Sequence, residues 1–192
     1  IDLRCSYELI SLNGPYAWEV MSKWLTPDII GLPYLSFYHF ERSTCFRAGK
    51  TGEYGYDLLI PQNSVAAAWE ELSRLVDDIG GGEASLETLD LCALENGFYS
   101  LRHGPMSGLT PLELQLQWRV STRKRFPGVD SVAARRDAGI RRRLTYFVAG
   151  GQVDPDDEIR HGDVRVGTVH SSVFSPGLNG FVGTALLDIE VA

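Results

Sequence analysis

The 192-residue sequence has no long apolar run, and nothing in it approaches the roughly 18 residues a membrane-crossing helix needs, so a membrane-spanning role is not expected. Cysteine is scarce: Cys5, Cys45 and Cys92 are far apart and form no CxxC pair, which excludes the usual zinc and dithiol motifs. Buried, reduced thiols in a cytoplasmic protein are the expected state of all three. Basic residues are outnumbered, 18 against 25 acidic, giving a net charge of −7 and a pI near 5.1. That balance argues against non-specific nucleic-acid binding. Glycine-rich GGGEAS (residues 80–85) has no GK[ST] after it, so it is not a phosphate loop. His39, His103, His161 and His170 show no metal-ligand spacing, and His103, in the Gly/Pro-rich RHGPMSG loop, reads as a surface histidine.

What is present can build a core. The chain is 44% hydrophobic and 22% charged, long enough for one large or two small domains. Its first residues, IDLRCSYELISLNGP, read as the middle of a strand, as though more chain preceded them. YELIS is strand-like, and Asn-Gly-Pro then ends it. Ala17, Val20, Met21 and Trp24 recur at helical spacing. YLSFYHFERSTCFRAG (residues 34–49) is aromatic and suits one or two strands, and YGYDLLIP alternates until Pro61.

The segment from Ser64 is expected to be a helix capped by Ser64, with Ala67, Leu72 and Leu75 on its inner face and Gly80 to Gly82 ending it. A further helix is expected through SLETLDLCALENG, with Ser85 as cap and Gly97 as stop. LELQLQW alternates as a strand would. The basic stretch from Arg119 to Arg143 reads as a solvated helix face, though it could also meet an anionic tail or an acidic partner chain. Beyond it, short β-rich runs separated by Gly, Pro, Asp and Asn suggest a compact antiparallel barrel or sandwich. The fold class expected is therefore α+β over residues 1–138, then a small β domain over 139–192.

The stretch RAGKTGEYGYD, Arg47 to Asp57, places a single carboxylate, Glu53, on a bend shaped by Gly49, Gly52 and Gly55. Such a bend fits either a strained turn with a solvated carboxylate or a carboxylate aimed at a ligand.

Six segments, in order, resemble the aminomethyltransferase (T-protein) family of glycine cleavage. LNGP (Leu12 to Pro15) is similar to its LQGP turn, and RAGKTGEYGYD to its RTGYTGExGyE signature. DLCALENGF (Asp90 to Phe98) is similar to DTLRLEAGL, TPLELQLQW (Thr110 to Trp118) to TPLEAGLxW, and FPGVDSV (Phe126 to Val132) to FIGREAL. VGTVHSSVFSPGL (Val166 to Leu178) resembles the VGxVTSGxxSPSL hairpin of the family's C-terminal barrel.

The resemblance implies a tetrahydrofolate-binding fold followed by a small antiparallel β-barrel, and a one-carbon transferase or a subunit of one. It puts Glu53 on the pterin's ring NH and exocyclic amine, an edge that matches a carboxylate accepting two parallel hydrogen bonds. Gly52 would let backbone approach the heterocycle, and Lys50, Arg47 and Asp90 complete the implied cofactor site. Lys50 stands in place of the family's tyrosine, Leu89 in place of the arginine of ARDTLRLE, and Ala93 in place of its second arginine. Trp118, Phe126 and the Ser171 to Pro176 hairpin are expected to serve packing and turns. The family's catalytic aspartate precedes the LQGP motif, so no catalytic residue is assigned. A second chain or an N-terminal segment is expected to supply it, alongside a small-molecule substrate. Two other readings stay open: a tailoring enzyme with a repurposed ligand site, and a non-catalytic folate-binding or assembly subunit.

Overall fold

The computed structural model describes residues 2–99, 108–121 and 123–191. His103 and the loop around it lie outside the described residues. The chain divides into two compact units, residues 1–98 and 99–192, each with its own antiparallel sheet.

In the first unit, β1 (Tyr7–Asn13), β2 (Phe37–Phe40), β3 (Ser43–Phe46) and β4 (Gly55–Pro61) pair in the order β1-β4-β3-β2. The residues before Tyr7 form a turn, and the first strand begins there. Strand period 2 sends Tyr56, Leu58 and Ile60 of β4 to one face, where all are buried. Helix α1 (Ala17–Trp24) covers that face with Ala17, Val20 and Met21, and α2 (Gln62–Asp77) covers it with Ala68, Leu72 and Leu75. Burying each large aliphatic side chain here contributes about 1.5–3 kcal/mol.

Helix α2 starts two residues before the expected Ser64 cap. Pro61, with φ −57, is its N-cap, and the first helical N–H, that of Gln62, is already bonded to Ser6 O at 3.0 Å. That donor needs no serine, and Ser64 falls inside the first turn. The inner face runs 68, 72, 75, which leaves Ala67 exposed. Helix α3 (Leu86–Glu95) follows its sequence signals: Ser85 Oγ accepts from Thr88 N at 3.3 Å, and Gly97 ends it at φ +62.

In the second unit, α4 (Val129–Ala138), which carries Asp130 and Asp137 as well as Arg135 and Arg136, has no buried residue, as a solvated helix should. Strands β5 (Arg142–Ala149), β6 (Glu158–His161), β7 (Val164–Ser175) and β8 (Gly180–Asp188) pair in the order β5-β8-β7-β6. The sheet is open: β5 and β6 are its opposite edges, and closure into a barrel is not seen among the described residues.

The LELQLQW segment is not a strand. It forms tight turns and a short 3-10 helix over Gln117–Arg119, with Gln115 at φ 60. The cause is Glu113, whose carboxylate turns inward to accept from Thr110 N at 2.9 Å, from the Thr110 hydroxyl and from Arg135 Nε. A buried, triply bonded carboxylate at that position replaces the apolar or solvent-facing residue that strand alternation requires. Trp118 is 69% exposed, with the Arg119 guanidinium 4.6 Å from its ring centroid, so it is not a packing residue.

Burial alone would raise the Glu113 carboxyl, but its bonds from Thr110 and Arg135 outweigh burial and hold it below its ordinary range. A depressed folded value means stability present above the unfolded pKa of about 4.3 and lost as pH falls through the lower folded value. Thermal melts between pH 6 and pH 3 should show parent and Glu113→Gln converging toward acid. A gap that stays constant with pH would show that the carboxylate's charge is not what stabilises the turn.

Candidate functional site

The Glu53 bend joins β3 to β4, and glycine contacts fix its shape. A Cβ on Gly55 would lie 2.3 Å from Gly49 Cα, so the two legs of the bend touch backbone to backbone. Gly52, at φ +85, faces the turn that follows α3, where a Cβ would meet Phe98 Cβ at 3.2 Å and Asn96 Cβ at 3.3 Å. From that side Asn96 Nδ2 donates to Thr51 O at 2.9 Å. From the opposite side, Asn13 Oδ1 accepts from Lys50 N at 2.9 Å, and Tyr54 O accepts from Gly14 N at 2.9 Å. Two asparagines, one in the LNGP turn and one in LENG, therefore clamp the backbone of the leg that enters Glu53, at Lys50 and Thr51, and Gly14 N holds the leg that leaves it at Tyr54.

Within this frame the Glu53 side chain is half-buried and makes no hydrogen bond or ion pair among the described residues. Beside it, Thr51 is buried and its hydroxyl has no partner among the described residues. Arg47 closes the base of the bend: its Nη1 donates to Gly55 O at 3.2 Å, and its guanidinium lies 4.3 Å from the Tyr54 ring centroid. The Lys50 ammonium turns away from Glu53 to ion-pair with Asp57 and donate to Ser11 Oγ at 2.8 Å. Asp90 is half-buried on α3. The structure thus brings Arg47, Lys50, Gly52 and Glu53 together on one bend and places Asp90 on the helix whose C-terminal end packs against it.

Cys45 and Cys92 are not poised as nucleophiles. Burial pushes Cys45 up to about 12. Burial, then the charges of Glu95 and Glu53, raise Cys92 as well, which places the Glu53 carboxylate near α3. Cys5 is exposed, against the expectation that all three would be buried. No group of three or more His, Cys, Asp or Glu residues among those described could hold a metal ion.

A cleft of about 440 Å³ lies between the LNGP turn, the C-terminal half of α2 and the glycine-rich loop before α3, and none of the bend residues 47–57 lines it. Leu89, at the position of the family's arginine, gives it an apolar wall, and Asn13 belongs both to its lining and to the clamp on Lys50.

This arrangement coincides with a family match. Residues 2–124 fit the GCVT N-terminal domain family. The chain belongs to that family. Among relatives, the aminomethyltransferase of Mycobacterium avium is 30% identical over 195 residues, covering 98% of this chain and 53% of that protein. The aminomethyltransferase of Pseudothermotoga lettingae is 31% identical, covering 99% of this chain and 54% of the relative. The chain spans about half the length of the curated relatives it matches. The family fold is also seen in the crystal structure of glycine cleavage system aminomethyltransferase T from Bartonella henselae. That structure superposes with a TM-score of 0.73 at 22% identity, over 95% of this chain and 52% of that one.

Glu53 and its glycines were legible in the sequence. The roles of Asn13, Asn96 and Asp57 do not show locally, because Asn13 and Asn96 bond backbone 37 and 45 residues away and Asp57 meets Ser11 46 residues away across the β1–β4 register. The only signal for them was that each differs from the family pattern: Asn for Gln in LNGP, Asn for Ala in LENG, and Asp for Glu after GY.

Proposed function

We propose that this chain is the tetrahydrofolate-holding part of a one-carbon transferase of the aminomethyltransferase family. Residues 1–138 belong to the folate-binding domain and 139–192 to a C-terminal module. The observation that carries the reading is Glu53: a carboxylate with no hydrogen-bond or ion-pair partner among the described residues, on a bend held by Asn13 and Asn96. A carboxylate that none of the described residues engages is available for an external pair of donors, and a pterin presents such a pair on one edge.

The residues fit the group. Gly52 lets the bend pack closely against Asn96 and Phe98, the buried Thr51 hydroxyl has no partner among the described residues, and Arg47 stiffens the bend from below. Asp90 stands on the neighbouring helix and Lys50 braces the entry leg. When bound, tetrahydrofolate supplies the nitrogen that accepts or gives up the one-carbon unit. The chain's own contribution is positioning: two parallel hydrogen bonds fix the pterin's rotation in its plane, and a braced bend loses little freedom on binding. Proton transfer to and from the substrate falls to a further segment or a partner chain, and the assembled enzyme works in the cytoplasm on a small-molecule donor. The relatives' length, about twice that of this chain, supports a shared site of this kind.

Isothermal titration of the protein, purified with whatever chain accompanies it, tests the reading. Saturable binding of tetrahydrofolate or its 5-formyl derivative is expected. Folded protein that shows no heat of binding with either compound would overturn it. The apolar Leu89 wall favours a shift in preference toward ligands with a less anionic tail, which a polyglutamate series would reveal.

A further inference from the structure

Three departures from the family pattern meet in space. Lys50 replaces the tyrosine of GYTGE, Asp57 replaces the glutamate that follows GY, and Asn13 replaces the glutamine of LQGP. In the β1–β4 register Ser11 faces Asp57 and Asn13 faces Gly55, which puts Ser11, Asn13 and Asp57 side by side at the foot of the Glu53 bend. Lys50 reaches down to them. Its ammonium ion-pairs with Asp57 and donates to Ser11 Oγ at 2.8 Å, and its backbone N–H donates to Asn13 Oδ1 at 2.9 Å. Ser11 Oγ in turn donates to Asp57 Oδ1 at 2.7 Å and accepts from Asn13 Nδ2 at 3.0 Å. Lys50 and Asp57 side chains are only 29% and 18% exposed, so solvent screens the pair incompletely.

We propose that Lys50 is a positioning residue, a strut that with Asp57, Ser11 and Asn13 fixes the entry leg of the bend and so the direction of Glu53, and that it does not contact the ligand. Two features carry this. The ammonium is engaged on the side of the sheet, leaving no more than one of its three N–H groups for anything else. Glu53 is only three residues from Lys50, and its carbonyl oxygen would be 2.8 Å from a Cβ on Gly49, so the entry leg cannot shift without moving Glu53. The exit leg is fixed independently by the Tyr54 and Gly55 carbonyls, which accept from Gly14 N and Arg47. With both legs anchored, the carboxylate between them has a set direction.

The inference rests on the pterin reading of Glu53, and its test separates the two. Lys50→Met, Asp57→Asn, the double variant and the conservative Lys50→Arg are made in the complete protein. Each is measured for tetrahydrofolate affinity and, without ligand, for amide hydrogen exchange of residues 51–54. A strut predicts that Lys50→Met and Asp57→Asn each weaken binding by about five- to tenfold and speed exchange at the bend. The double variant should be no worse than either single, and Lys50→Arg should be close to the parent. If Lys50 instead touches the ligand, Asp57→Asn frees the ammonium, so binding tightens or holds while Lys50→Met weakens it and exchange stays unchanged. That outcome overturns the proposal. A parent that binds no tetrahydrofolate sinks the pterin reading alone, and the exchange arm then decides the strut: faster exchange in both single variants supports it, and unchanged exchange overturns it.

Discussion

Replacing Glu53 by alanine is expected to weaken tetrahydrofolate binding at least tenfold while leaving the fold intact. The two halves of that expectation come from one observation, that the carboxylate has no partner among the described residues. Removing it breaks no hydrogen bond or ion pair among the described residues, so stability should change by no more than about 0.5 kcal/mol. On binding, a carboxylate accepting from a pterin edge forms charge-assisted hydrogen bonds, each of order 1.5–3 kcal/mol, and about 1.4 kcal/mol already corresponds to tenfold. Glu53→Gln is the sharper variant. Its amide keeps one acceptor but turns an N–H toward a pterin donor, so it should bind no better than alanine. Titration calorimetry beside thermal melts measures both halves. Equal binding by parent and Glu53→Ala would remove Glu53 from the site, and a large drop in melting temperature would make it a structural residue instead.

The second large effect is expected at Gly55. A Cβ there would sit 2.3 Å from Gly49 Cα and 2.8 Å from Asn13 Oδ1. Neither neighbour yields cheaply: Gly49 is rigid backbone, and Asn13 is held by Lys50 N and Ser11. Gly55→Ala must therefore push the legs of the bend apart and disturb the start of β4, whose Tyr56, Leu58 and Ile60 build the core. Overpacking of this kind costs about 3 kcal/mol. It should appear in urea unfolding as a lower midpoint at unchanged slope, together with loss of tetrahydrofolate binding. Gly82→Ala is the control, since a Cβ there meets nothing within 4 Å and stability should stay within about 0.5 kcal/mol of the parent. A Gly55→Ala protein as stable as that control would mean the bend is looser than the contact geometry requires.

Local signals carried most of the first unit. The alternation of β4, the spacing of Ala17, Val20 and Met21, and the Ser85 to Gly97 boundaries of α3 all act within a few residues, where periodicity and capping decide the outcome. Sequence reasoning went astray where a distant group intervened. Ser64 resembled a cap, but Ser6 O had already satisfied the first amide of α2. LELQLQW resembled a strand, but Arg135, on a later helix, drew Glu113 inward. Both are long-range contacts that outweigh a local preference.

The same division holds at the site. A carboxylate flanked by glycines could be read directly, whereas its supports could not. Lys50 suggested a charge for the ligand, yet the β1–β4 register brings Ser11 and Asp57 beneath it and gives the ammonium an internal partner. Asn96 carried no local signal at all, because its bond to Thr51 spans 45 residues.

The most direct test of the central claim is a crystal structure of the complete protein with tetrahydrofolate bound. The expected result places both Glu53 carboxylate oxygens about 2.7–3.0 Å from the pterin's ring N–H and exocyclic amine, with Lys50 still paired to Asp57. A pterin seated elsewhere, with Glu53 facing solvent, would contradict it.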